Sequence, residues 1–142
     1  MIDMDMARRI FDDGRGPFVK LLGLQLESVA HGRAVVRMPF REELMNGAGS
    51  IHGGAVASLC DSAFYVALAS IFGPQHPTAT ATLTCSFLAG AHPPHDLFAT
   101  ATVIKPGKRI VYGEVSVTSN ERVVAHATLN FANLAQDGPV HA

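Results

Sequence analysis

NGAGSIHGGAVASLCDSAFYVALASIF, residues 46–72, changes character part of the way along. Its first part is a loop built on Asn46, Gly47, Gly49, His52, Gly53 and Gly54. The remainder is small and apolar, with neither Gly nor Pro before Phe72 and one charge, Asp61. Glycines let backbone N–H groups approach a ligand closely. A helix that starts at such a loop aims unpaired N–H groups and a positive dipole end at whatever sits there. The pattern predicts a helix over 53–72 with a seat for a negative or polarised oxygen at its start. About two turns further on, at roughly 3.6 residues per turn, comes the lone carboxylate. An oxygen seat and an isolated carboxylate are two parts of a hydrolytic site.

The same run is long enough to raise a membrane span, which needs roughly 20 apolar residues. Asp61 would then sit near mid-bilayer, where a carboxylate is costly, and His52, Gly53, Gly54, Ser58, Ser62 and Ser70 dilute the run further. Ala55, Ala57, Ser58, Ala63, Ala67 and Ala69 read better as small residues that let a sheet pack closely, on a largely buried helix of a soluble protein. Asp61, flanked by Leu59, Cys60, Ala63 and Phe64, is expected to be buried. It is then either half of a structural pair or a working acid, since both arrangements perturb carboxylates.

The whole chain narrows the function classes. Its 142 residues suit one domain, 1–142, with its own core. A net charge of −1 suggests no electrostatic nucleic-acid surface, and the lack of Trp argues against a base-stacking platform. Cys60 and Cys85 are spaced like neither a metal site nor a redox pair, and read as free buried thiols in a reducing cytoplasm. The opening MIDMDMARRIFDDGRG carries early acids and no apolar run of signal length, so no secretory signal is expected.

In chain order, Met1–Asp13 reads as a short amphipathic helix with Met6, Ile10 and Phe11 as its stripe, ended by Gly14 and Gly16–Pro17. Phe18–Leu22 adds a helical turn, completing an N-terminal helical segment over 1–23. Leu24–Val29 and Ala34–Phe40 read as strands joined across Ala30–His31–Gly32–Arg33, with Pro39 closing the second. Arg41–Ser50 is loop, and Gly73–Pro74 breaks the central helix. Thr78–Leu88, TATATLTCSFL, alternates hydroxyls at 78, 80, 82 and 84 with apolar residues, which puts the threonines on one face. Leu97–Lys105 and Ile110–Thr118 flank a Pro106–Gly107 turn, and Val123–Leu134 follows a turn at Ser119–Asn120–Glu121. The expected class is α+β, a long antiparallel sheet curled around one buried helix.

Other motifs carry less. His92, His95 and Asp96 lie in a Pro-Pro turn with no obvious third ligand, so no metal is assigned. His31, His76, His126 and His141 are scattered and receive no role. No serine sits on a G-x-S-x-G elbow, and phosphate-loop and dinucleotide glycine patterns are absent. Lys105, Lys108 and Arg109 cluster at KPGKR, either as a solvated hairpin tip or as a phosphate contact.

The pattern N-G…H-G-G-x-x-x-x-L-x-D-x-A, carried by NGAGSIHGGAVASLCDSAFYVALAS, resembles the signature loop and helix of hotdog-fold acyl-CoA thioesterases, in particular the phenylacetyl-CoA thioesterase family of phenylacetate degradation. The order of strands fits that fold over nearly the whole chain. The resemblance implies hydrolysis of acyl-CoA, with no metal and no cofactor beyond the CoA of the substrate. It implies that the Gly53 N–H polarises the thioester carbonyl, with Gly54 beside it against the substrate. Asp61, reaching in from the neighbouring subunit, would attack the thioester or deprotonate water. His52 would hold the loop and orient the carbonyl, Asn46 would position the water or the carboxylate, and Thr80 would hold the nucleophilic water. Phe64 and Tyr65 would line an acyl pocket, and Lys105, Lys108 and Arg109 would meet the CoA phosphates. The implied partners are the acyl-CoA and further copies of the chain, as a dimer or a dimer of dimers, with no nucleic acid and no membrane, in the cytoplasm.

One stretch departs from the family pattern. Many relatives carry a basic residue followed by Pro after the third strand, whereas this chain has FLAGAHPP. Aromatic acyl groups such as phenylacetyl or hydroxyphenylacetyl are the first expectation, and medium-chain acyl groups the second. Two other classes fit the same residues: a hotdog dehydratase pairing His52 with an acid, and a non-catalytic acyl-CoA binding module.

Overall fold

The computed structural model describes residues 3–14 and 16–134. Met1, Ile2, His141 and the two ends of the 1–142 domain therefore lie outside the described residues. Helix α1 spans Met4–Gly14 and α2 spans Pro17–Leu22. Strands β1 (Gln25–Ala30) and β2 (Arg33–Met38) follow, and β2 stops before Pro39 as expected. A short 3-10 turn, Glu42–Leu44, leads to α3 (Gly53–Phe72). Four strands complete the chain: β3 (Thr78–Phe87), β4 (Leu97–Pro106), β5 (Ile110–Ser119) and β6 (Arg122–Asn133). All six form one sheet in the order β1-β2-β4-β5-β6-β3, with every pairing antiparallel. This is the hotdog architecture that the resemblance implied.

The central helix sits against one face of this sheet. Val56, Leu59, Cys60, Ala63, Phe64, Ala67 and Leu68 are buried, a stripe at helical spacing. The facing strands answer with small side chains: Ala34, Ala99, Ala101, Ala125 and Ala127 are all buried. By length and composition α3 could cross a membrane, yet this stripe is spent on the sheet. Of the small residues read as sheet-facing, Ala63 and Ala67 are fully buried. Ala57, Ser58 and Ala69 are only half-buried, because helical geometry turns them away from that stripe.

Phe64 fixes how the helix is rotated. Its ring meets Phe131 edge-on with centroids 5.1 Å apart. It also fills a notch at Gly113, where an added Cβ would come within 2.3 Å of the ring and 2.2 Å of the Thr102 carbonyl. With 0% exposure, Phe64 is a core residue, not a wall of an acyl pocket. The helix end is anchored too. Ser70 Oγ accepts from Gly32 N at 2.8 Å, tying the β1–β2 turn to α3, and the turn needs glycine because Gly32 has φ +75°.

Strand β3 breaks the simple alternation read from its threonines. Thr80 pairs with Phe131 and Thr82 with Asn130, so Ala81 is an extra residue, a β-bulge. Beyond the bulge Leu83 and Cys85 pack against the core, whereas Thr82 and Thr84 are exposed. Before it the parity is reversed, and Thr80 reaches α3. The threonines therefore do not share one face.

If the Gly113 notch seats Phe64, Gly113→Ala should cost about 1–3 kcal/mol through overpacking. Thermal melting followed by circular dichroism reads this as a lower Tm. An unchanged Tm would mean that the helix has room to shift.

Candidate active site

The loop before α3 is held by its own polar groups. Asn46 Oδ1 accepts from Ala48 N at 2.8 Å and from Ser50 N at 3.1 Å, and Asn46 Nδ2 donates to Ser50 Oγ at 2.9 Å. Both ends of the Asn46 amide are thus engaged in shaping the loop, rather than pointing at Asp61. Met45 bridges to Ile51, and Ile51 N donates to Ala91 O at 2.8 Å, which docks the loop beside the segment after β3. Gly49, at φ +90°, makes the tight turn possible.

His52 is the N-cap of α3. Its Nδ1 accepts from Gly54 N at 2.8 Å, and its carbonyl accepts from Ala55 N and Val56 N. Gly54 therefore offers no free N–H to a substrate in this arrangement, contrary to its reading as a substrate contact. A Cβ at Gly54 would approach Nδ1 to 2.9 Å and dislodge the cap. Among the described residues nothing accepts from the Gly53 N–H. It points out of the positive end of a 20-residue helix. The oxygen seat anticipated at the helix start thus comes down to one donor, Gly53.

Asp61 is less deeply buried than its apolar neighbours suggested. It is half-buried, and Thr80 Oγ1 donates to its Oδ1 at 2.7 Å. The bulge at Ala81 makes this contact possible, since regular alternation would turn Thr80 outward. One carboxylate oxygen is held by a hydroxyl, and among the described residues no group bonds to Oδ2 that would compete with a substrate or water. Tyr65, one turn on and 38% exposed, donates from its hydroxyl to Pro74 O at 2.8 Å. Cys60 and Cys85, distant in sequence, come near one another between α3 and β3 while remaining free thiols. Burial pushes both thiol pKa values up, which keeps them protonated and unreactive.

Gly53 and Asp61 do not meet within the protomer. Eight residues of helix at 1.5 Å each separate them by about 12 Å along the axis. One thioester carbonyl cannot bond to the first and be attacked through the second. Neither of two sizeable surface concavities, of about 450 and 520 Å³, touches Gly53 or Asp61. One is lined by residues of the β5–β6 turn and the start of β4, the other by α1, β1 and Arg37.

Lys105, Lys108 and Arg109 are exposed at the β4–β5 tip, and among the described residues no carboxylate pairs with them. In register, Thr80, Phe131, Val111 and Pro106 form one line across β3, β6, β5 and β4. At about 4.8 Å per strand the tip lies roughly 10–15 Å from Thr80. His92 and Asp96 have other partners. His92 Nδ1 faces Gly49 O at 3.2 Å. Asp96 takes Arg37 Nη1 at 3.0 Å and Phe40 N at 2.7 Å. Hydrogen bonds from Arg37 to Glu27 and then Asp96 raise the guanidinium pKa further. Among the described residues no group of three His, Cys, Asp or Glu is placed to hold a metal.

Comparison with known proteins adds a common pattern. The family model described as the thioesterase superfamily matches residues 48–126, which takes in the loop, α3 and most of the sheet. The acyl-coenzyme A thioesterase PaaI of Escherichia coli K12 is 37% identical over 108 residues, 75% of this chain and 74% of that protein. Human acyl-coenzyme A thioesterase 13 is 30% identical over 103 residues, 72% of this chain and 73% of that protein. The solved structure of the Escherichia coli PaaI protein from the phenylacetic acid degradation operon superposes with a TM-score of 0.81 at 26% identity. It covers 92% of this chain and 93% of that one.

His52→Ala should remove the cap and cost about 0.5–2 kcal/mol, while His52→Asn should retain most of that stability. Urea unfolding of the two variants side by side makes the comparison. Equal losses would mean that the ring's packing, and not its capping nitrogen, matters.

Proposed function

The chain belongs to the thioesterase superfamily, and from that premise we infer that it hydrolyses acyl-CoA thioesters, with aromatic acyl groups such as phenylacetyl or hydroxyphenylacetyl preferred over medium-chain ones. The observation that carries this is the pair of half-sites on α3: a free Gly53 N–H at the helix start, and a Thr80-held carboxylate on Asp61. The acyl preference rests on the PaaI likeness.

In this reading the thioester oxygen sits on the Gly53 N–H, and the helix dipole stabilises the negative charge that develops as the carbonyl becomes tetrahedral. One such donor is worth roughly 3–4 kcal/mol. Asp61 acts as general base on water or attacks the carbonyl carbon directly. In either route the C–S bond breaks, CoA leaves as its thiol, and water supplies the oxygen of the free acid. Thr80 holds the carboxylate and the water beside it. Lys105, Lys108 and Arg109 meet the CoA phosphates, and no metal or further cofactor takes part. The free thiols of Cys60 and Cys85 support a cytoplasmic location.

The reaction needs two copies, because the two half-sites are about 12 Å apart on one rigid helix. Strand β3 supplies the means. It is a sheet edge of ten residues without charge or internal Pro, and such edges invite pairing. The helix beside it, with mean hydropathy 1.7, has only 39% of its apolar window buried within the protomer. Gly53 lies against Phe87 at one end of β3, and Asp61 against Thr80 near the other. Antiparallel pairing of β3 with its own copy, Thr80 opposite Phe87, brings Gly53 of one copy beside Asp61 of the other. A dimer is the minimum, and a dimer of dimers fits the family resemblance.

The bulge specifies where the two-fold axis falls. With Ala81 extra, Thr80 occupies the place of residue 81 in a regular strand. Pairing that place with 87 puts Thr84 opposite itself. Thr84→Cys should therefore form a dimer-linking disulfide under mild oxidation, whereas Thr82→Cys should not. Non-reducing electrophoresis checks the pair, and an active monomer in sedimentation would refute the shared site.

Asp61→Asn keeps the shape and still accepts from Thr80. Thiol release from phenylacetyl-CoA should fall by roughly 10²–10⁴ in kcat, with KM within a few-fold and Tm unchanged or raised. Normal kcat with a clearly lower Tm would instead make Asp61 half of a structural pair. Wild-type protein that binds acyl-CoA without releasing thiol would favour the binding-module reading.

A further inference from the structure

We propose that Phe87 is the specificity-determining wall of the acyl site, an aromatic surface against which an aryl acyl group packs. The proposal rests on the thioesterase reading above and names a residue that the loop-and-helix pattern does not contain. Phe64, one of the two residues expected with Tyr65 to line the acyl group, is enclosed in the core and cannot do so. Phe87 closes β3 and is 56% exposed within the protomer.

Its ring lies beside the glycine that carries the oxygen seat. A Cβ built on Gly53 would touch Phe87 Cε1 and Cζ, each at 3.4 Å, so the ring edge lies against the glycine whose N–H is free. The backbone around the ring is fixed. Phe87 pairs with Ala125, and the N–H groups of Leu88 and Ala89 both donate to Val124 O, at 2.8 and 3.2 Å. The ring is therefore presented from a paired strand end rather than from a loop. Leu88, 62% exposed, continues the apolar surface.

A thioester carbonyl bonded to the Gly53 N–H has two substituents, the acyl group and the sulfur of the pantetheine arm. The pantetheine arm carries amides and runs to charged phosphates, whereas the acyl group is apolar. The apolar ring suits the acyl side. An aryl acyl group gains both area burial and the offset or edge-on geometry that aromatic pairs favour. An alkyl acyl group gains the area alone. Phe87 thus favours aryl over alkyl substrates without taking part in the chemistry, and it acts through ground-state and transition-state contact with the acyl group.

The test measures kcat/KM for phenylacetyl-CoA and hexanoyl-CoA by thiol release, on wild type and on Phe87→Ala, Phe87→Leu and Phe87→Tyr, with sedimentation of each. Phe87→Leu should lower the phenylacetyl-to-hexanoyl ratio by about tenfold, and Phe87→Tyr should keep it near wild type. Phe87→Ala should lower the ratio at least as far as Leu. Should Phe87→Ala disturb the oligomer, the Leu and Tyr variants still decide. A ratio that is the same in all variants overturns the role of Phe87 while leaving the thioesterase reading intact. Wild-type protein that releases no thiol from either substrate overturns the thioesterase reading itself.

Discussion

The seat of Phe64 in the Gly113 notch sets the rest of the molecule. A helix lying on a sheet can in principle roll about its axis. Here one large ring, locked against Phe131 and the bare backbone of β5, removes that freedom. Once Phe64 points into the sheet, the three-residue step back to Asp61 places the carboxylate on the flank of the helix toward β3. The bulge at Ala81 then brings a hydroxyl to meet it. Core packing and site geometry are set by the same contact, so a change in the notch would be felt at the carboxylate.

The fold was largely legible in the sequence because its signals are periodic. The limits of α3 follow from a glycine loop at one end and Gly73–Pro74 at the other, and every strand is bounded by Gly, Pro or a polar turn. The short-range part of the site was legible for a similar reason. A helix start determines where a free N–H will be, and Gly53 is where it falls. What escaped the pattern depends on long-range contacts. Whether Gly54 keeps its N–H depends on a His52 rotamer. Whether Phe64 faces a pocket or the core depends on a glycine 49 residues later. The bulge leaves no composition signal in TATATLTCSFL, so the threonines read as one face. Phe87 reads as an ordinary strand end until the helix start is laid against it.

Dividing the reacting groups between the start and the middle of one helix has a physical logic. The N-terminal end offers a dipole and a bare amide that suit an oxyanion. A carboxylate placed at that same end would compete with the substrate oxygen for them. Keeping Asp61 two turns away avoids this quenching within the protomer, and a second copy can supply the opposing half. Thr80 meanwhile engages only one carboxylate oxygen, leaving the other for chemistry.

The place of β3 in chain order bears on how the protein is made. Among the described residues its only strand neighbour within the protomer is β6, whose partner residues run from Ala125 to Asn133. On a ribosome, β3 and the apolar α3 emerge well before β6 has been translated. Until then a ten-residue stretch with no charge has both edges open, beside a helix that has only the β1–β2 hairpin of the sheet to lie on. Such a nascent segment is open to wrong partners during synthesis. The period of greatest exposure for this chain therefore falls between the synthesis of β3 and that of β6, and clusters of slow codons in that interval would lengthen it.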